Sequence, residues 1–415
     1  MKHTNKSIIA ALIGNMLEWY DFAVFGFLAV IIGAKFFPSS SQAISTISAL
    51  GAFAGAYAAR PFGGIIFGFI GDRFGRKTML RLSILLMGIP TVLIGLLPSY
   101  IEIGITAPIM LTLLRFLQGI SIGGEYIGSM VYLSEIAPKE KKYFYSSFAI
   151  AGILGGILFG SLVCSSLLWI FGEQGMFEFW WRIPFLLGVV IIIFGIWMRK
   201  NIDDTHLHID RTHNPIIEAL SRHKKALLLS ILLTAYIGIG FHTLFIWFPT
   251  YMSTIVEPHI KDALRYTFIS LLFYLAAIFI GAKTADKYGA RTIFVYSLSI
   301  FILFLYPAFW LVNKGDLVLA ICTQSFLAVI LAISHALSPM IISRLFPTQI
   351  RVSGLGLGFN IMVALFAGTA PLVSTYLIKI TSDKLFPAYY IALFSIIAIF
   401  AFLWMEKDKQ YGKNL

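Results

Sequence analysis

The chain has 415 residues; 58% of them are hydrophobic, only 13% are charged, and the mean hydropathy is +0.85. A soluble domain carries roughly a quarter charged residues, so this composition excludes a soluble globular protein and indicates an integral membrane protein. The net charge of +12 would also suit a nucleic-acid binder, but most lysines and arginines lie in alternate loops, which is the positive-inside pattern of membrane insertion. We therefore expect the lipid bilayer, and no nucleic acid, as a partner.

Apolar runs long enough to form membrane-spanning helices recur along the whole chain, whereas the strands of an outer-membrane barrel would be short and alternating. They predict an all-α integral membrane protein with twelve transmembrane helices, at 8–35, 43–70, 78–98, 106–135, 144–170, 182–198, 226–252, 265–283, 292–312, 317–343, 354–380 and 386–404. The first run is too long for the core of a signal peptide, so we interpret it as a retained helix. Because the number of spans is even and the basic loops face inside, we expect both termini in the cytoplasm. The membrane that we expect is a bacterial-type inner (plasma) membrane.

Two acidic residues interrupt the first run. Glu18 lies ~15 Å into the helix at a rise of about 1.5 Å per residue, and Asp21 follows three residues later on roughly the same face. Because two close carboxylates repel each other and burial disfavours their charge, at least one should bind and release a proton near neutral pH. The pair is our first candidate for proton coupling. The alternative is that arginines neutralise both acids permanently and hold the helices together.

A basic loop after the second run occurs twice in the chain. We expect these residues to form a gating loop on the cytoplasmic side: Asp72, Arg73, Gly75, Arg76 and Lys77, repeated 214 residues later by Asp286, Gly289 and Arg291. In the first copy Asp72 should cap or pair near a helix end, Gly75 should allow a tight turn, and the basic residues should bridge to helix ends and to acids of a neighbouring helix. A repeat that spans half the chain indicates a transporter built from two similar halves.

The fourth run carries a second group of polar residues. Arg115 and Gln118 lie one turn apart, and Glu125 lies two turns further along the same face. The arginine fork can bind a carboxylate with two hydrogen bonds, and an unpaired guanidinium at this depth would be costly. Arg115 is therefore a candidate partner for a buried carboxylate or for a substrate carboxylate.

Other polar residues in the spans are weaker candidates for a transport pathway. Arg60 lies in the second run, and Glu135, near the cytoplasmic end of the fourth run, is predicted to anchor a loop. The second half contains no acid well inside a span and offers His242, His335 and Asn360 instead. Histidine titrates near neutrality, although a histidine in a membrane is often only hydrogen-bonded to a neighbouring helix.

The longest polar stretch, 199–225, is predicted to be a cytoplasmic linker. It separates an N-terminal six-helix bundle, 1–198, from a C-terminal six-helix bundle, 226–415. Four histidines in the linker are a weaker alternative as a metal site, because their spacing matches no standard ligand pattern: His206, His208, His213 and His223. Cys164 and Cys322 lie inside apolar runs, so we expect no disulfide framework, no metal and no cofactor.

The first copy of the gating loop resembles the signature loop of the major facilitator superfamily: Gly68-x-x-x-Asp72-Arg73-x-Gly75-Arg76-Lys77. Further segments resemble the metabolite:proton symporter family, and its proline/betaine transporters most closely: Gly14-Asn15…Glu18-Trp19-Tyr20-Asp21-Phe22, Arg60-Pro61-Phe62-Gly63-Gly64, Gln118-Gly119…Gly123-Gly124-Glu125-Tyr126, Trp181-Arg182-Ile183-Pro184-Phe185 and Phe346-Pro347-Thr348-Gln349-Ile350-Arg351…Phe359-Asn360. The resemblance covers nearly the whole chain.

The resemblance implies twelve helices in two pseudo-symmetric six-helix bundles. It also implies import of zwitterionic osmolytes, citrate, 2-oxoglutarate, shikimate or related small molecules together with a proton. The positions that carry over are Glu18, Asp21, Arg60, Arg115, Glu125, Tyr126 and Asn360. The resemblance further implies that helices one and four both line the cavity, and Glu18 and Asp21 lie at a depth comparable to that of Arg115. We therefore predict that Arg115 pairs with one of these acids when the site is empty, and that a substrate carboxylate or protonation of the acid competes for it. In all, we expect proton coupling at Glu18, Asp21 and Glu125, and substrate binding at Arg115, Gln118, Tyr126, Tyr20, Arg60, His242, His335 and Asn360. Osmosensing members carry a C-terminal coiled-coil extension; since this sequence ends at Leu415, we expect no osmotic regulation.

The expected function is a proton-coupled secondary symporter that imports a small polar metabolite, either a carboxylate-bearing organic acid or a zwitterionic osmolyte such as proline or betaine. The alternative within transport is a proton-coupled exporter or antiporter, which would use the same acids with opposite coupling. The sequence carries no nucleotide-binding loop and no motif that joins a nucleophile to a base, so we expect no enzyme. A twofold repeat with its charges in one half favours alternating access over a channel. We expect the protein to be a monomer.

Overall fold

The structure is a computed structural model, and it describes residues 2–40, 42–199, 214–260 and 263–408. In these ranges all regular secondary structure is helical. Most of the predicted linker, with His206, His208 and His213, lies outside the described residues, so a metal site there stays a hypothesis.

By internal contacts the chain divides into two units. The first comprises Met1–Ile136, Phe148–Glu218 and Thr348–Leu357, and the second comprises Ala137–Ser147, Ala219–Pro347 and Gly358–Leu415. Two short segments therefore pack with the unit other than that of their neighbours in sequence. The bundle boundaries at residues 198 and 226 stay a prediction.

Helices α1 to α9 supply most of the first unit. They are α1 Lys2–Phe27, α2 Ala29–Phe36, α3 Gln42–Arg73, α4 Arg76–Leu96, α5 Tyr100–Ile103, α6 Thr106–Ile136, α7 Lys142–Gly175, α8 Arg182–Leu186 and α9 Gly188–Arg199. The short α5 begins at a capping box, in which Ser99 and Glu102 bond reciprocally, as is typical of helix starts in loops.

Helices α10 to α19 supply most of the second unit. They are α10 Pro215–Arg222, α11 Lys224–Phe241, α12 Phe248–Thr254, α13 Ala263–Tyr288, α14 Ala290–Val312, α15 Leu317–His335, α16 Ser338–Ser343, α17 Arg351–Met362, α18 Ala370–Thr381 and α19 Phe386–Lys407. Short 3-10 or π-helical turns connect several of the helices from α6 to α18, at Lys139–Lys141, Met176–Trp180, His242–Trp247, Thr348–Ile350 and Val363–Ala367.

All twelve predicted apolar runs correspond to helices. Within the described residues nine helices are long and apolar enough to cross a membrane. The other three runs correspond to the α1–α2 pair, to α3 and to the shorter Arg182–Trp197 segment. The first run was predicted as one helix, and this is wrong: α1 and α2 meet at 68°. The bend lies at Leu28, whose φ of −94° and ψ of 8° leave the helical region.

Glycines bring α3 and α6 into backbone contact in the first unit. A Cβ atom at Gly119 would lie 2.1 Å from the carbonyl oxygen of Ala56, and one at Gly123 would lie 2.2 Å from that of Arg60. Close approach through small residues is a main way in which membrane helices associate. It brings the polar residues of α6 next to Arg60 on α3.

Candidate functional site

The buried charged side chains are concentrated in the first unit. Within the described residues, buried Asp, Glu, Arg and His side chains are Glu18, Asp21, Arg60, Asp72, Arg76, Arg115 and Glu125 in the first unit and His335 in the second. The predicted asymmetry between the two halves of the sequence is thus confirmed. Because each charge costs free energy in an apolar environment, the first unit must supply a partner network.

Arg115 and Asp21 form the centre of that network. An Arg115 guanidinium nitrogen lies 2.5 Å from a carboxylate oxygen of Asp21, with both side chains almost fully buried. Gln118 accepts a hydrogen bond from Arg115 (2.6 Å) and donates to the other oxygen of Asp21 (3.0 Å) and to the Thr91 hydroxyl (2.8 Å). The predicted pairing of Arg115 with an acid of the first helix is confirmed, and the acid is Asp21.

The Arg115 guanidinium also contacts aromatic rings of α1. Its central carbon lies 3.8 Å from the ring centroid of Phe25 and 5.1 Å from that of Phe22. A cation over an aromatic face is stabilised by about 0.5–2 kcal/mol. The aromatic contacts therefore help to hold the buried guanidinium in place beside Asp21.

Glu18 belongs to a second cluster, although it shares α1 with Asp21. Its side chain is 2% exposed and lies close enough to Tyr57, Arg60 and Tyr126 to act on each of them electrostatically. The Arg60 guanidinium lies 5.6 Å from the ring centroid of Tyr57. A separation of three residues along α1 thus places the two acids beside different arginines, Asp21 beside Arg115 and Glu18 beside Arg60.

Glu125 has a third environment, on the side of α6 that contacts α4. Its carboxylate hydrogen-bonds the Ser83 hydroxyl, and the Ser121 hydroxyl donates to the Ser83 carbonyl oxygen at 2.6 Å. Glu125 and Gln118 were predicted to share a face of the helix, and both hydrogen-bond a hydroxyl of α4, Glu125 that of Ser83 and Gln118 that of Thr91. Among the described contacts, Gln118 also joins this face of α6 to Asp21.

In the second unit, a buried His335 contacts a tyrosine that the sequence analysis overlooked. The His335 Nδ1 lies 2.6 Å from the Tyr274 hydroxyl, and Tyr274 is fully buried. His242 Nδ1 lies 2.9 Å from the Gly238 carbonyl oxygen, and Asn360 is 1% exposed. Tyr274 follows Arg60 at the same 214-residue interval as the repeated loop, and this spacing was a signal for it.

Tyr20 has a structural contact of its own. Its hydroxyl donates to the Pro184 carbonyl oxygen at 2.7 Å, and its side chain is buried. This bond joins α1 to α8, and the hydroxyl points at backbone rather than at another candidate side chain.

In the first copy of the gating loop, Asp72 and Arg76 are both buried. Asp72 accepts hydrogen bonds from the backbone amides of Val352 (3.2 Å) and Ser353 (2.7 Å), at the start of α17. Arg76 donates to Asp72 at 2.6 Å and to the carbonyl oxygens of Gly71 (2.6 Å) and Thr348 (2.9 Å). The predicted helix-end cap is confirmed, since the first-turn amides of a helix otherwise lack acceptors.

Glu135 extends this network, which agrees with its predicted anchoring role. One of its oxygens lies 3.3 Å from Arg76 and 3.0 Å from Arg351. The Arg73 guanidinium instead lies 5.3 Å from the ring centroid of Phe69, and Lys77 is half-buried. Of the three basic residues in the first copy, Arg76 is thus the one described as bridging.

The second copy repeats the cap at another helix. Asp286, in the last turn of α13, accepts from the backbone amides of Tyr143 and Phe144, both at 3.0 Å, at the start of α7. Arg291 is 69% exposed and lies 3.4 Å from Glu406. Each copy therefore places an aspartate on the first-turn amides of a helix that is remote in sequence.

Comparison with known proteins agrees with this architecture. The sequence model of the Major Facilitator Superfamily matches residues 11–356. The chain is thus a multi-pass membrane transporter, and it belongs to the major facilitator superfamily, with the all-α fold that was predicted.

Two relatives and one solved structure illustrate the similarity. The proline/betaine transporter of Salmonella typhimurium is 33% identical over 421 residues, covering 97% of this chain and 83% of the relative. The glycine betaine/proline/ectoine/pipecolic acid transporter OusA of Dickeya dadantii is 33% identical over 426 residues, with the same coverage. The proton:xylose symporter XylE bound to 6-bromo-6-deoxy-D-glucose superposes with a TM-score of 0.77 at 16% identity, over 97% of this chain and 95% of XylE. XylE supports the fold alone, whereas both relatives support transport of a small molecule across a bacterial inner membrane.

Proposed function

We propose that this protein is a proton-coupled symporter that imports a small zwitterionic or carboxylate-bearing metabolite by alternating access. The names of the two relatives support the substrate class, because proline, betaine, ectoine and pipecolic acid each carry a carboxylate. The observation that carries the proposal is the buried ion pair of Arg115 with Asp21. Both termini lie in the cytoplasm in this proposal, as the basic loops indicate.

The first step is an exchange of carboxylates at Arg115. Arg115 donates to Asp21 and to Gln118, and Gln118 also donates to Asp21. A substrate carboxylate that reaches Arg115 would take the place of Asp21 as the partner of the guanidinium. The planar guanidinium suits this exchange, because it can donate two parallel hydrogen bonds to a carboxylate in a fixed bidentate geometry.

The second step links this exchange to a proton. Once Asp21 gives up Arg115, its carboxylate would be buried without its cation, and a buried carboxylate is stabilised by protonation. Proton binding to Asp21 and substrate binding to Arg115 therefore favour each other, as reciprocal linkage requires. Positive coupling of this kind produces symport, whereas antiport requires the proton and the substrate to compete.

The remaining candidates fall into supporting roles in this proposal. Glu18 and Arg60, with Tyr126, form a second acid–arginine cluster that can take part in either proton or substrate binding. Glu125, hydrogen-bonded to Ser83, is a reserve proton site. On the second unit we propose His242, His335 and Asn360 as substrate contacts.

Uptake into proteoliposomes tests the proposal. Radiolabelled proline, glycine betaine, citrate, 2-oxoglutarate and shikimate are each offered with an inward proton gradient, with an outward gradient and with none. We expect at least one of them to accumulate only with the inward gradient. Accumulation driven by the outward gradient would instead establish a proton antiporter.

Two variants test the coupling step. Asp21→Asn imitates the protonated acid, so it should abolish gradient-driven accumulation while exchange of internal for external substrate continues. Arg115→Lys keeps the charge without the fork and should weaken apparent substrate affinity by about tenfold or more. Arg182→Lys is the matched control, because Arg182 donates to the carbonyl oxygens of Gly95 and Leu97. Wild-type pH dependence in Asp21→Asn would contradict the proposal.

A further inference from the structure

A cavity of about 320 Å³ lies beside the second copy of the gating loop. It opens between the turn before α7 and the last two turns of α13, all within the second unit. None of the candidate substrate residues lines it. The lining residues are Glu140, Lys141, Phe144, Lys283, Asp286 and Lys287.

The lining carries more positive charge than its acids can balance. Within the part of the chain that the structure describes, Lys141, Lys283 and Lys287 form no ion pair. Two acids line the cavity as well: Glu140, and Asp286, which accepts from two backbone amides and lies close enough to Lys141 to interact with it electrostatically. Three lysines against two acids leave the lining with an excess of positive charge, which favours an anion because like charges repel each other.

Further charged residues lie near Lys142, which follows the lining residue Lys141 in the chain. Lys139 and Arg344 act on Lys142 electrostatically, as does the acid Asp286. The local field is therefore that of a basic patch at the predicted cytoplasmic end of the helices. Basic pockets at this level of a membrane protein bind the headgroups of anionic lipids.

An exposed apolar face of α13 leads directly to the cavity. Phe273 is 52% exposed and Ile280 is 58% exposed, and Lys287 follows Ile280 at the same seven-residue spacing, so the three share one face of the helix. Lys283 lies one turn beyond Ile280. A ligand that fits this surface has a long apolar part beside its anionic group, which distinguishes a phospholipid from a free anion.

We propose that this cavity binds the phosphate headgroup of an anionic phospholipid, whose acyl chains lie along the exposed face of α13. Lys141, Lys283 and Lys287 would surround the phosphate. The Lys283 ammonium already lies 5.3 Å from the ring centroid of Phe144, so the apolar wall of the cavity is part of the site. Because Asp286 bonds the start of α7 from the same cavity, a bound headgroup would join α7 to α13 a second time.

Native mass spectrometry of the purified protein in neutral detergent tests the proposal. Phosphatidylglycerol and phosphatidylcholine with identical acyl chains are titrated separately, and a third titration adds inorganic phosphate to protein that already holds phosphatidylglycerol. The test variant is Lys283→Gln with Lys287→Gln. The matched control, Lys314→Gln with Lys379→Gln, removes two lysines of the same unit that do not line the cavity.

We expect wild-type protein to prefer phosphatidylglycerol, and the test variant to bind it about 25-fold more weakly. Each lysine near an anionic lipid contributes a factor of about five, so each single substitution should weaken binding about fivefold. The control should bind as wild type does. Lys283→Arg with Lys287→Arg should retain binding, which separates loss of charge from loss of folding.

Three results would overturn the proposal. The first is equal binding of the two lipids by wild-type protein. The second is an equal loss of affinity in the control variant. The third is displacement of the lipid by inorganic phosphate at matched concentration, which would mean that the cavity recognises the phosphate ion and gains nothing from the apolar face.

Discussion

The two copies of the gating loop use the same aspartate and the same glycine in very different electrostatic surroundings. Asp72 and Asp286 each accept two backbone amides at the start of a helix remote in sequence. Gly75 and Gly289 each directly precede a helix, and their own φ values are 93° and 89°. The copies share, therefore, the parts that set backbone geometry.

The difference lies one residue after the glycine. The first copy has Arg76, which is buried and bonded to Asp72 and Glu135; the second has Ala290. Without an arginine at that position, Asp286 keeps its helix cap and an electrostatic interaction with Lys142 and Lys141, and it remains half-buried. A repeat can thus conserve a conformation in both halves while only one half adds a charge network to it. The variants that follow, ordered by expected effect, break or sharpen this comparison.

Asp72→Asn should have the largest effect on stability. It removes the carboxylate from a buried ion pair and leaves the Arg76 guanidinium, which is 1% exposed, with less negative charge around it. Breaking one side of a buried pair is strongly destabilising, and since Glu135 remains, we expect a loss of about 3 kcal/mol in the free energy of unfolding. Chemical denaturation in detergent measures it. A loss no larger than that of Asp286→Asn would show that the arginine network adds nothing.

Gly75→Ala and Gly289→Ala should have intermediate and nearly equal effects. Both glycines adopt a positive φ with an extended ψ, of 155° and 142°, a region that residues with a Cβ rarely enter. Forcing such a conformation costs about 1–3 kcal/mol. At Gly289 the added methyl group meets no atom within 4 Å, so the backbone alone sets the cost there. Thermal unfolding of both variants side by side tests this, and a neutral Gly289→Ala would refute it.

Asp286→Asn should be milder than its counterpart in the first copy. Asparagine keeps an oxygen that can accept from Tyr143 or Phe144, and no buried arginine loses its partner. Loss of a cap costs about 1 kcal/mol, which is the change expected in the same denaturation assay. If this variant proves as damaging as Asp72→Asn, Asp286 must have a charged partner that its cap does not explain.

Arg291→Ala should have the smallest effect. The side chain is 69% exposed, and its nitrogen lies 3.4 Å from Glu406, a geometry worth less than about 0.5 kcal/mol. The corresponding alanine substitution of the buried arginine in the first copy, Arg76→Ala, provides the comparison. Adding salt should shrink the effect of Arg291→Ala and leave that of Arg76→Ala nearly unchanged, because salt screens exposed charges far more than buried ones. Equal salt dependence would contradict this assignment.

Local features of the sequence predicted much of the structure of this protein. Run length and hydropathy identified twelve helices, because the bilayer requires a long apolar stretch for each span. The aspartate of the first loop copy, Asp72, predicted a helix cap. These inferences depend on one helix or one loop at a time. The pairing of Arg115 with an acid of the first helix also required the helix arrangement that the superfamily resemblance implied.

Only the tertiary structure decided which groups meet. Glu18 and Asp21 share one helix, and packing assigned Asp21 to Arg115 and Glu18 to the surroundings of Arg60. Contacts between helices brought further groups into these networks: Thr91, Ser83 and the backbone amides that Asp72 caps, of which that of Val352 is 280 residues from Asp72. Helical periodicity tells which residues share a face, but the rotation and closeness of neighbouring helices depend on side-chain packing along their whole length. That packing determines the partner of each buried charge.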